Sequence, residues 1–143
     1  MISDHLEAVK DHLVAGGIPC GRGRPPEGHG PTESWAGAPG QSAFAAYAFV
    51  SRIGSIDELS STLDDTWNEA RPLVNIQCVG ATDEQAEDLL DLVRARMKDF
   101  RVLAGRNVLR CWLDVTETTF VDRDVTPHVH VAAARYRLWT EAA

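Results

Sequence analysis

The sequence predicts an α+β fold: an antiparallel or mixed β-sheet with two helices packed on one face, in the order α-β-β-β-α-β-β. Three observations predict it. A strand, a sharp turn and a long amphipathic helix follow one another between Arg71 and Phe100. Apolar and polar residues alternate over Val108 to Val115, the period of a half-buried strand. The connections between the predicted elements are short, which brings consecutive strands together as neighbours.

The first element runs from Ser3 to Ala15. Ile2, Leu6, Val9 and Leu13, with Ala8 and Val14 beside them, form a helical apolar stripe, and Ser3 is placed to cap it. Gly16-Gly17 ends the helix. A short extended piece, Ile18 to Arg22, follows.

From Gly21 to Gln41 the composition shifts to six of the eleven glycines and four of the seven prolines, so neither a long helix nor a central strand fits there. Two readings of this 21–41 arm stand: a surface loop, or an arm that orders against a neighbouring subunit with Trp35 as its anchor. Phe44 to Ser51 reads as a strand with large and small residues interleaved. An acidic excursion over 55–70 carries Asp57-Glu58 and Asp64-Asp65 and ends at Trp67-Asn68-Glu69; its few apolar residues predict a hairpin-like loop.

Pro72 to Val79 is the next strand. Thr82 and Gln85 form a capping box, in which each side chain satisfies a free backbone N–H at the helix start. Ala86, Leu89, Leu90, Val93, Met97 and Phe100 make the apolar stripe of that helix. Acids at its start (Asp83, Glu84, Glu87, Asp88) and bases at its end (Arg94, Arg96, Lys98) suit the helix dipole. In the strand that follows, Leu109, Cys111, Leu113 and Val115 are expected on one face and Arg110, Trp112 and Asp114 on the other; Thr116 to Val121 can extend it. The last strand covers Val129 to Thr140.

At 143 residues the chain is expected to be one domain over 1–143, and its composition is that of a globular protein. The net charge of −7 argues against sequence-independent nucleic-acid binding, which needs bases to displace phosphate counterions. Cys20, Cys78 and Cys111 are widely spaced and supply no Cys-x-x-Cys pair, so they read as buried thiols in a reducing compartment. The sequence shows no signal peptide and no membrane span, and a cytoplasmic site of synthesis and assembly is expected.

No catalytic machinery emerges, and no cofactor is expected. His128 and His130 flank Val129 and share a side of a strand, but two ligands do not complete a zinc site. Gly21-Arg-Gly-Arg24 lacks the Lys and helix of a phosphate loop. The paired acids could hold a divalent cation, yet no Lys or His base stands at a recognisable spacing, and a solvated charged face is the plainer reading. A metal-dependent enzyme using the 57–69 acids or His128/His130, and a small protein-binding module, remain the alternatives.

Val79-Gly-Ala-Thr-Asp-Glu-Gln-Ala86 resembles the strand-to-helix turn of tail terminator proteins of long-tailed bacteriophages, especially phages of actinobacteria. The closing strand, Arg135-Tyr-Arg-Leu-Trp139, is similar to their C-terminal strand, and the layout of elements is similar along most of the chain. The resemblance implies a structural virion protein at the head–tail junction. It implies a ring, usually hexameric, that caps the tail tube, stops its growth and offers a docking surface to the head connector. The implied partners are other copies of the chain, the major tail tube protein and the connector or head completion protein. Neither a cofactor nor catalysis is implied. DNA passes the lumen without specific binding, and an acidic lining suits that passage. Some of Asp57, Glu58, Asp64 and Asp65 are expected to line the lumen, and Trp35 and Trp67 are candidate lumen or interface residues, with Trp112 and Trp139 as further aromatic anchors.

Overall fold

Helix α2 (Asp83–Met97) shows how local signals fix the frame. The Thr82 hydroxyl accepts a hydrogen bond from the Gln85 N–H at 3.1 Å. The Gln85 side chain reaches back to the N–H of Ala81 at 2.6 Å, one residue ahead of the expected partner. Two of the donors left over at the helix start are thereby satisfied. The computed structural model describes residues 2–26, 46–53, 59–60, 69–103, 106–122 and 129–142.

Helix α1 (Ile2–Ala15) ends in a Schellman motif: the Ile18 N–H bonds the Leu13 carbonyl at 3.1 Å and the Gly17 N–H bonds Val14 at 3.0 Å. Gly17 takes φ +84°, the left-handed conformation that motif needs. Two expectations for α1 are corrected. Ser3 lies within the helix, one residue past its first position, and Val14 is exposed.

The remaining elements are strands β1 (Cys20–Arg22), β2 (Tyr47–Ile53), β3 (Leu59–Ser60), β4 (Glu69–Ala70), β5 (Leu73–Gly80), β6 (Val102–Leu103), β7 (Arg106–Asp122) and β8 (Val129–Ala142). All eight belong to one sheet. The β2, β5, β8 and β7 strands lie side by side and antiparallel; β4 extends the line of β5 along β8. Among the described residues only β1 runs parallel to its neighbour, β2, which makes the sheet mixed. The β3 and β4 segments pair antiparallel at the base of the acidic excursion, as a hairpin-like loop requires.

Both helices lie on one face of this sheet. Leu6, Val9 and Leu13 of α1 and Ala86, Leu90, Val93 and Met97 of α2 pack in one cluster with Ala48, Val50, Val74, Ile76, Cys78, Ala134 and Leu138. These strand residues alternate with a second set facing the other way. Tyr47, Val79, Val129 and Val131, with Ala81, form a smaller buried cluster on that opposite face. With cover on both faces, every β5 residue but Gln77 is buried, Asn75 included.

The face reading of β7 needs a correction. Cys111 and Leu113 pack against the helix-side core with Val108, but Leu109 and Val115 are exposed. The register of β7 on β8 shifts between Val108 and Arg110, between Leu113 and Val115, and between Glu117 and Phe120. Each bulge inserts a residue, and one residue is enough to turn the following side chains to the other face.

Candidate functional site

The helix-free face of the β7–β8 ribbon carries the most distinctive chemistry among the described residues. Cys111 and Leu138 pair in register and point into the helix-side core. Their neighbours along each strand therefore stand on the opposite face. There Arg110 pairs with Trp139, and Trp112 pairs with Arg137. The result is a checkerboard in which every arginine has a tryptophan beside it.

The geometry is that of stacked guanidinium on indole. The Arg110 Cζ lies 4.6 Å from the Trp112 ring centroid. Arg71, just ahead of β5, lies 4.4 Å from the Trp139 ring. The Arg137 guanidinium donates to the Arg71 carbonyl at 2.9 Å, which ties the third cation into the group. Cation–π contacts at partly exposed sites are each worth about 0.5–1 kcal/mol. Three of the chain's 14 bases thus stand in one group with Trp112 and Trp139.

A second group lies beside α1. An open hollow of ≈ 480 Å³ is bordered by Glu7, Lys10, Cys20, Arg22 and Arg24. Lys10 binds Glu7 at 2.6 Å and Arg22 binds it at 3.3 Å. The Lys10 hydrogen bond, reinforced by Arg22 and opposed by desolvation, holds the Glu7 carboxyl below its usual range. Lys10 is raised in turn, first by its hydrogen bond to Glu7. These charges satisfy one another, so the hollow reads as a surface ion-pair group.

The turn at 21–24 belongs to the frame. A Cβ on Gly21 would lie 2.1 Å from the Arg24 carbonyl, and the Gly23 N–H bonds Val50 at 2.7 Å. Gly21 serves a close backbone approach, Gly23 takes φ +69°, and the Gly23 donor serves the sheet.

Asp57, Glu58, Asp64, Asp65, Trp67, Trp35 and His128 lie outside the described residues. His130 is described. Its Nδ1 lies against Asp83 Oδ1 at the start of α2 without making a hydrogen bond. Among the described residues no group of three His, Cys, Asp or Glu side chains is placed to hold a metal. Arg71, Arg110 and Arg137 were not among the expected site residues. Alternation placed Arg110 with Trp112, and Arg137 with Trp139, on one face of their own strands, but only the pairing of β7 with β8 brings the two sets together.

Fold and site together define an α+β protein with helices on one face of a mixed sheet and an arginine–tryptophan lattice on the other. In comparisons with known proteins, no family model and no curated protein matches the chain. No helix among the described residues is long and apolar enough to cross a membrane.

Proposed function

We propose that this chain is a structural subunit of a virion, of the tail-terminator kind. It assembles into a ring, hexameric in the usual form of that family. The ring caps the tail tube, ends its polymerisation and receives the head connector. The observation that carries this reading is the resemblance of the strand–turn–helix unit at Val79 to Ala86, together with the closing strand Arg135 to Trp139.

Physical chemistry supports it in two ways. A ring of identical subunits closes through heterologous contacts, which need exposed sheet edges and anchored aromatic or arginine side chains. The arginine–tryptophan lattice is a surface of that composition. The net charge of −7 suits a lumen through which DNA slides without adhering. Within this proposal some of Asp57, Glu58, Asp64 and Asp65 line the lumen, and Trp35 and Trp67 anchor subunit contacts.

The test is reconstitution. Purified chain is added to tail tube protein during polymerisation, and tube ends are imaged by electron microscopy. Rings seated on one end and arrested growth are expected. Tubes that grow to the same length with and without the chain would refute the proposal.

A further inference from the structure

Charge is sorted between the two outer surfaces of this domain. On α2, Glu84, Asp88 and Asp91 are exposed and follow one another at steps of four and three. They form one acidic stripe on the side of the helix opposite the buried Ala86, Leu90 and Val93, so the stripe faces away from the sheet. Among the described residues none of these three acids has an ion-pair or hydrogen-bond partner. The helix-free face, on the far side of the sheet, carries the opposite sign. Arg135 and Arg137 alternate there with the buried Tyr136 and Leu138, and Arg110 and Arg71 stack on Trp112 and Trp139. Glu141 borders the group near the end of β8.

We infer that the arginine–tryptophan lattice is a docking surface for α2 of a second copy of this chain, with Glu84, Asp88 and Asp91 of one copy laid along the arginine row of the next. Charge complementarity selects this occupant. Two lattices set face to face repel, and so do two acidic stripes. Between copies of net charge −7, only a contact of unlike faces sets bases against acids.

Arg110 is the anchor of the contact. It is exposed, lies 4.6 Å from the Trp112 ring centroid, and has no carboxylate partner among the described residues. A guanidinium already stacked on an indole loses less freedom when it meets its partner, and arginine and tryptophan are the side chains that dominate interfaces. Dimensions agree as well. Glu84 to Asp91 covers about 10 Å along a helix. Arg135 to the cross-strand pair of Trp139 and Arg110 covers about 13 Å along a strand.

The two faces lie on opposite surfaces of the domain, so the contact is heterologous, and each copy in a pair keeps one lattice and one stripe open. The charge map carries this contact whether or not the chain caps tail tubes. Tubes left uncapped would sink that proposal alone, and failure of the contact would sink this one alone.

The experiment reverses charge on one face at a time in the full chain, with sedimentation velocity between about 1 and about 100 μM. The wild type is expected to associate as its concentration rises. Arg110→Glu, which spoils the lattice, and Asp88→Lys/Asp91→Lys, which spoils the stripe, are each expected to weaken association about tenfold or more, because each sets like charges together. Mixed in equal amounts, the two variants are expected to associate within about threefold of wild type, since each brings the face that the other lacks. That recovery also separates a lost contact from a lost fold. A wild type that stays monomeric throughout the range overturns the inference. So does an assembly indifferent to either variant, or a pair of variants that stay apart when mixed.

Discussion

His12 and Arg96, on different helices, hold each other by exchanged hydrogen bonds. The His12 Nε2–H donates to the Arg96 carbonyl at 2.9 Å, and the Arg96 Nε–H donates to the His12 carbonyl at 2.9 Å. The His12 ring also meets Phe100 edge-on, with centroids 5.3 Å apart. Each of these carbonyls also accepts a backbone N–H, His12 from Gly16 at 3.2 Å and Arg96 from Asp99 at 3.2 Å, so the clasp adds a second donor at the last turn of each helix.

Gly16 reports on this clasp. A Cβ there would lie 2.6 Å from Arg96 Nε and would push the guanidinium off His12. Gly16→Ala is expected to cost about 1 kcal/mol, the worth of a displaced hydrogen bond. In an Arg96→Ala background the same change is expected to cost nothing, since the obstructing side chain is gone. Urea unfolding of the four proteins measures the coupling, and equal costs in both backgrounds would show that the clasp is not held.

The buried stripe of α2 makes a second prediction. Val93 is 0% exposed and Leu90 is 6% exposed. Leu90→Ala or Val93→Ala is expected to cost about 2–4 kcal/mol, from lost transfer energy and the cavity left behind. Leu92, one step round the helix at 59% exposure, is the control. Leu92→Ala is expected to change stability by no more than about 0.5 kcal/mol. Similar costs at all three positions would contradict the packing described.

The turn into α2 gives a third. A Cβ at Gly80 would sit 2.7 Å from the backbone N of Ala86, an atom that cannot yield without moving the helix. Gly80→Ala is therefore expected to destabilise by about 2 kcal/mol or more. Thr82→Ala, which removes only the cap, is expected to cost about 1 kcal/mol. Thermal unfolding ranks the two, and the reverse order would place the constraint in the cap and not in the close approach.

Alkaline stability tests burial of the thiols. Burial pushes Cys20 and Cys78 from 9.0 up to about 12, and Cys111 up to about 11. The Tyr136 phenol is likewise raised by burial, from 10.0 to about 12. Above the unfolded values the unfolded chain releases these protons while the native chain keeps them. Their contribution is therefore level below pH of about 9 and declines as pH rises toward about 12. Replacing the three cysteines by alanine is expected to flatten the first part of that decline, as read from urea midpoints at successive pH values. An unchanged slope would mean that the thiols are not desolvated.

How much of this was legible in sequence depended on range. The α2 unit was legible because Thr82, Gln85 and the apolar stripe all lie within about one helix of each other and agree. Both helices on one face of an antiparallel or mixed sheet followed from the order of elements and short connections; the parallel β1–β2 pair that makes it mixed did not. The face of Leu109 and Val115 was not legible, since bulges leave no sure mark in one sequence and each inverts the alternation after it. The arginine–tryptophan lattice needs the register between β7 and β8, which only pairing across the sheet supplies. The His12–Arg96 clasp joins residues 84 positions apart, beyond any local pattern.

The proposed function meets its most direct test in particles made without this chain. Electron microscopy of such lysates is predicted to show overlong tails that carry no heads, because nothing ends tube growth or receives the connector. Tails of normal length joined to heads would contradict it.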